Sequence, residues 1–240
     1  MTKGKFVKTR LNRMAKALAA LLAVGMTVPA VAESKNKLEA RVRDLTDYFE
    51  SVQKDSDNAV PAEVLQKAEG LIIFRSYKAG FIVGVAGGSG VAIVKNKDTG
   101  QWGPIGFLKG GEGSFGFQAG GQRSDLVLVL MNSDGVKVLT DPNLKLGVDI
   151  RATAGPKSLG DQANLKTDNT PVLVYGDTKG LYGGASLQTG GIFPDSGDNE
   201  DYYGQKLSMK EILVDGKVQP TDSAKSLAAK IEQYAKPAAK

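Results

Sequence analysis

The chain has 240 residues and a formal net charge of +5, from 31 Lys and Arg against 26 Asp and Glu, with no histidine and no cysteine. Six of the basic residues, Lys3, Lys5, Lys8, Arg10, Arg13 and Lys16, stand at the extreme N-terminus with no acid among them, which leaves 25 basic against 26 acidic residues, a charge of −1, from Glu33 onward; the basic balance belongs to a leader and gives no support to nucleic acid as a partner. The missing cysteine excludes disulfides, thiolate zinc sites and an acylated anchor cysteine, and the missing histidine removes the usual triads and most zinc chemistry, so an enzyme here would need carboxylates or lysine and no cofactor is expected.

The first sixteen residues form a positively charged n-region, and Ala17 to Val28 (ALAALLAVGMTV) is an apolar stretch of signal-peptide length. It is shorter than the ~20 residues that span a bilayer. Pro29 ends it, and Ala30-Val31-Ala32 offers small residues at −3 and −1, so residues 1–32 read as a cleavable signal peptide and 33–240 as one domain. The expected location is the periplasm, with the outer membrane as a surface to which the protein could attach peripherally.

Leu38, Val42, Leu45, Phe49 and Val52 recur at four- and three-residue spacings, one face of an amphipathic helix. Lys35, Lys37, Arg41 and Arg43 form a basic group beside that stripe. The helix could lie on an anionic membrane, or pack onto a sheet with its basic face in water. A short second helix is predicted from Pro61 through Val64, Leu65 and Ala68 to Gly70.

From Leu71 onward the pattern changes to short β-branched runs broken by glycines: LIIF at 71–74, FIVGV at 81–85, VAIV at 91–94 and LVLVLM at 126–131. Residues 96–100 (NKDTG) read as a turn, and the Gly-Gly pairs at 87–88, 110–111 and 120–121 as bulges or sharp bends. VLVY at 172–175 and LYGGASL at 181–187 follow a polar loop at 156–170. Ser208 and Glu211 have capping-box spacing, and a final helix is predicted near Asp222 to Tyr234, presenting Leu227, Ile231 and Tyr234. Helices at both ends and no βαβ alternation give an α+β class: a strongly curved, barrel-like, mainly antiparallel glycine-rich sheet.

Gly84 to Gly90 (GVAGGSG) superficially resembles a phosphate loop, but it lacks the Lys-Ser/Thr of a P-loop and leads into another strand, which favours a glycine-kinked hairpin. Asp195, Asp198 and Asp201, with Asn199 and Glu200, are a weak candidate for a cation site; the order fails the EF-hand pattern, and a solvated acidic loop is the plainer reading. Arg75, Lys78, Lys109 and Arg123 fall near the ends of the predicted strands, where they could grip an anionic headgroup or simply be solvated. Trp102, the only tryptophan, is either a membrane-interface anchor or a buried residue at the sheet edge. No motif pairs an acid with a base, so catalysis has no positive support.

Several ordered motifs carry a family resemblance. Ala68 to Phe74 (AEGLIIF), Lys78-Ala79-Gly80-Phe81, Gly88-Ser89-Gly90-Val91, Gly100 to Pro104 (GQWGP), Gly116 to Gly120 (GFQAG), Asp125 to Asn132 (DLVLVLMN), Leu146-Gly147, Ala154-Gly155-Pro156, Lys179 to Leu187 (KGLYGGASL) and Tyr202-Tyr203-Gly204 together resemble the SYLF domain, also called the Ysc84 actin-binding domain family. The likeness runs from about Leu38 to Leu213. It implies non-enzymatic lipid binding: eukaryotic relatives bind phosphoinositides and some bind actin, and exported bacterial relatives are regarded as phospholipid-binding envelope proteins. The leader argues against actin as the ligand here. Two positions depart from the family pattern: Arg75 stands where many relatives have proline, and the Gly-Arg that often follows Ala-Gly-Pro is replaced by Lys157-Ser158-Leu159-Gly160-Asp161. The rival expectation is a structural envelope protein that docks a protein partner; a carboxylate-dependent hydrolase of envelope polymers ranks third.

Overall fold

The computed structural model describes residues 35–80, 83–115, 120–142, 152–155, 170–176 and 192–236. The leader, the loop at 156–169 and the predicted strand at 181–187 lie outside them.

Helix α1 (Lys35–Lys54) forms where the apolar stripe predicts it, and Leu38, Val42, Leu45, Phe49 and Val52 are all buried. Helix α2 (Ala62–Lys67) follows Pro61. Strands β1 (Gly70–Gly80), β2 (Val83–Lys95), β3 (Trp102–Phe115) and β4 (Gly120–Leu130) come next, then helix α3 (Ser133–Thr140), strands β5 (Ala152–Ala154), β6 (Val172–Gly176) and β7 (Ile192–Pro194), and helices α4 (Ser196–Tyr203), α5 (Met209–Leu213) and α6 (Asp222–Ala235). The fold is α+β, with helices before the first strand and after the last.

The strands form one sheet in the order β5-β6-β4-β1-β2-β3-β7. Every neighbouring pair is antiparallel except β5 with β6. Among the described residues this sheet is open, which corrects the barrel-like expectation: the short strands β5 and β7 stand at its two edges rather than pairing with each other.

The predicted short strands are also longer than expected, because the glycines do not break them. Gly87 and Gly88 pair in register with Tyr77 and Ser76 on one side and with Gly111 and Gly110 on the other, and Gly120 and Gly121 pair with Gly80 and Ala79. The register shift between β2 and β3 falls instead at Ile93 to Lys95. Packing explains the glycines: a Cβ on Gly88 would come within 2.5 Å of the Phe74 ring, and one on Gly90 within 2.6 Å of it. The ring lies across β2 where side chains would otherwise stand. The phosphate-loop and kinked-hairpin readings of this segment both give way to a continuous strand.

Alternation along the strands sends Leu71, Ile73, Val91, Ile93, Phe107, Val127 and Val129 into a core with α1, α2, Tyr202 of α4 and α6. Ile72, Phe74, Ala92, Leu108, Leu126, Leu128 and Leu130 enter a second core with α3 and α5 on the other face. Because both faces are covered over this part of the sheet, LIIF and LVLVL read as continuous apolar runs rather than alternating ones.

Capping sets the later helices. Asn132 accepts from Asp134 N and Gly135 N to start α3, a helix that sequence reading did not anticipate. Asp195 accepts from Asp198 N, so the acidic segment is helix α4 and not the expected loop. Ser208 and Glu211 form the predicted capping box of α5, and Thr221 caps α6.

Candidate functional site

The merged strands relocate the basic residues singled out in the sequence. Arg75 and Lys109 stand inside β1 and β3, not near strand ends as predicted. Arg75 lies directly opposite Asp125 on β4, and its Nε is 2.9 Å from the Asp125 carboxylate. Tyr48 of α1 donates to the Asp125 backbone carbonyl at 2.5 Å, tying the helix to the same point. This pair is mostly withdrawn from water, the two side chains being 18% and 8% exposed. The Lys109 ammonium is 3.6 Å from Asp195 and largely exposed. Lys78 stands opposite Gln122 and Ala86, and Arg123 opposite Tyr77, on adjacent strands.

Trp102 is buried, of the two alternatives for it, and the Lys95 ammonium lies 4.8 Å from its ring centroid. Burial lowers the Lys95 pKa, and its Nζ donates to the Gln66 carbonyl at the end of α2 at 2.9 Å. The three candidate cation ligands do not converge. Asp195 caps α4, Asp198 pairs with Arg41, and among the described residues no group of three or more Asp or Glu side chains is placed to hold a metal.

Helix α1 divides its four basic residues. Arg41 turns inward, joining Asp198 at 2.5 Å and lying 5.8 Å from the Phe107 ring centroid. Lys35, Lys37 and Arg43 are exposed, and no ion pair within the described residues engages them. The apolar stripe that could have entered a membrane is buried against the sheet, so α1 is packed with its basic face in water.

Lys35 and Arg43 border an open groove of about 570 Å³, completed by Asn36, Glu39, Thr221 and Asp222. Tyr202, itself outside the lining, bonds or adjoins three of these residues. The Tyr202 hydroxyl lies 2.7 Å from Thr221 Oγ1 and 2.8 Å from Ser223 Oγ, and Lys35 Nζ stands 5.6 Å over the ring. Burial raises the Tyr202 pKa, and the neighbouring Glu39 carboxylate adds to the rise. Farther along, the rings of Phe49 and Tyr234 meet edge to face and Glu50 pairs with Lys230 at 2.9 Å. Early residues of α1 thus meet early residues of α6, and late meet late, so the two helices run parallel and both present their N-terminal ends to the groove.

Chemically, the groove offers one ammonium, one guanidinium and one amide as donors beside two carboxylates. Sequence reading missed Asn36, Glu39, Thr221 and Asp222. Glu39 was within reach, standing four residues from both Lys35 and Arg43, and Thr221 has the character of an N-cap. The meeting of α1 with α6 had no sequence signal.

Comparison with known proteins agrees with the motifs. The family model described as Ysc84, Las17-binding protein actin regulator, matches residues 111–234. SH3 domain-containing YSC84-like protein 1 of Pongo abelii is 30% identical over 200 residues, covering 82% of this chain and 57% of that relative, and the Homo sapiens protein of the same name gives the same values. LAS seventeen-binding protein 3 of Saccharomyces cerevisiae is 28% identical over 220 residues, 89% of this chain and 47% of the relative. The chain spans about half the length of the curated relatives it matches. No solved structure is significantly similar. On the motifs, the matched family model and these relatives, the chain belongs to the Ysc84 (SYLF) family.

Proposed function

We propose that this protein binds phospholipid headgroups without chemical turnover, through the exposed basic residues in the first half of α1, after export to the periplasm and removal of residues 1–32. One observation carries the reading: Arg41 and Arg75 are committed to internal ion pairs, while Lys35 and Arg43 stand exposed on one side of α1 and Lys37 stands exposed farther round it. Each such Lys or Arg near an anionic surface is worth on the order of 1 kcal/mol. The α1 stripe is buried, so the helix contributes headgroup contacts rather than insertion. The near-neutral charge of the chain from Glu33 onward gives little long-range attraction, and added salt should weaken binding without abolishing it.

The test is vesicle flotation of residues 33–240, which form a compact unit of their own. Envelope phospholipid vesicles should carry the protein upward at low salt and less of it at high salt, and Lys35→Glu with Lys37→Glu and Arg43→Glu should remove most of the signal. Failure to float with every phospholipid composition rejects the reading. The family description names actin regulation and Las17 binding, so a protein partner is the second reading. Sedimentation with filamentous actin and capture of a stoichiometric envelope protein without lipid are the outcomes that favour it.

A further inference from the structure

We propose that the α1–α6 groove selects phospholipids whose headgroup is zwitterionic, a phosphate joined to an amine, over headgroups that carry the phosphate alone. This rests on the phospholipid-binding reading above and names the class of lipid that the groove would take. The groove's charged lining is balanced: Lys35 and Arg43 stand beside Glu39 and Asp222, the last 3.3 Å from the Lys225 ammonium in an exposed pair that water already weakens. A purely anionic headgroup that satisfied the two cations would lie against two carboxylates, and a simple cation would meet the reverse penalty. A ligand bearing both charges meets partners for each.

The order of charges supports the same conclusion. Lys35, Glu39 and Arg43 follow one another at four-residue intervals, about 6 Å apart along the helix axis. Such neighbours commonly pair with one another on a helix surface. Here neither Lys35 with Glu39 nor Glu39 with Arg43 closes into an ion pair within 4.0 Å, while Lys35 lies over the Tyr202 ring and Glu39 stands beside that ring's hydroxyl. Tyr202 is fixed in turn by Thr221 and Ser223. Lys35 and Glu39 are therefore held by the ring and not by each other, beside the groove that both line. The N-terminal end of α1 adds partial positive charge, which favours the phosphate near Lys35 and Asn36 and the amine near Glu39 and Asp222.

Residues 33–240 would be floated with vesicles of the uncharged glycolipid digalactosyldiacylglycerol carrying increasing fractions of either phosphatidylethanolamine or phosphatidylglycerol, and challenged with soluble glycerophosphoethanolamine or glycerophosphoglycerol. Binding should rise with the ethanolamine lipid, and glycerophosphoethanolamine should be the better competitor. Glu39→Gln should shift the ethanolamine-to-glycerol preference about tenfold toward the glycerol lipid, the loss of one charge-assisted contact. Asp222→Asn should shift it the same way, with circular dichroism verifying that each variant is folded. Vesicle binding that favours phosphatidylglycerol and ignores both substitutions overturns the selectivity while leaving phospholipid binding intact. Direct binding of soluble glycerophosphoethanolamine in isothermal titration calorimetry, without flotation, points to a free zwitterion as ligand and overturns the lipid assignment. No flotation with any composition rejects the underlying function itself.

Discussion

Arg75 on β1 and Arg43 on α1 are the same side chain in two settings. Arg75 is mostly buried and held at 2.9 Å from Asp125, which the β1–β4 register places directly opposite. Arg43 is exposed at the edge of the groove, with its neighbour Glu39 turned toward Tyr202. A cation withdrawn from water requires a counter-charge, whereas one left in water can remain open to a partner from outside. The position of the carboxylates, more than that of the arginines, decides which cation serves the fold and which faces solvent.

The comparison can be broken most forcefully at Asp125. Asp125→Ala leaves the Arg75 guanidinium without its counter-charge and should cost about 3 kcal/mol in urea unfolding, while Arg75→Met combined with Asp125→Leu should recover part of that loss. A loss no larger than that of Arg43→Ala would erase the distinction. A smaller effect is expected at Asn199, whose side chain accepts from Phe107 N at 2.8 Å and donates to Phe107 O at 3.3 Å. Asn199→Ala should cost about 2 kcal/mol and accelerate amide exchange at Phe107, because it strands the buried Phe107 N–H, while the Phe107 carbonyl keeps the Asp195 N–H. Arg43→Ala should change stability by no more than about 0.5 kcal/mol while reducing vesicle retention.

The smallest expected effect concerns an exposed charge that does have a partner. The Ser208 backbone N–H and hydroxyl hold the Glu211 carboxyl below its usual pKa. A carboxylate whose folded-state pKa is lowered stabilises the fold above its unfolded pKa, and that contribution fades as pH falls through the folded value. Glu211→Gln should therefore lower the unfolding midpoint slightly at neutral pH, and the difference from the parent should vanish in acid. A midpoint difference that persists or grows on acidification would contradict the assignment.

Much of this architecture was legible in the sequence, for identifiable reasons. The α1 stripe is periodic and all five of its residues are buried, and the α5 capping box lies at its fixed three-residue spacing. The strand lengths were not legible. Phe74 and Gly88 are far apart in the chain, so the ring that replaces a side chain on β2 left only a run of glycines that looked like breaks. The acidic segment misled for a related reason, since Asp195 acts as a helix cap and Asp198 as the counter-charge of Arg41. The candidate cations could be named from sequence, but which of them were already paired depended on Asp198 of α4 and Asp125 of β4, both remote in the chain.

Asn199 has a consequence for solubility. Its amide takes the Phe107 N–H and shares the Phe107 carbonyl with the Asp195 N–H, just past the end of β7 on the outer side of β3, and Tyr203 donates to the Ile105 carbonyl close by. A sheet margin guarded by side chains of a helix offers no template for stacking one molecule on the next. Protection against fibril-like self-association between Ile105 and Phe107 therefore depends largely on one short helix, and unravelling α4 would expose the Phe107 N–H and the Ile105 carbonyl while β7 and the remaining strands stayed paired.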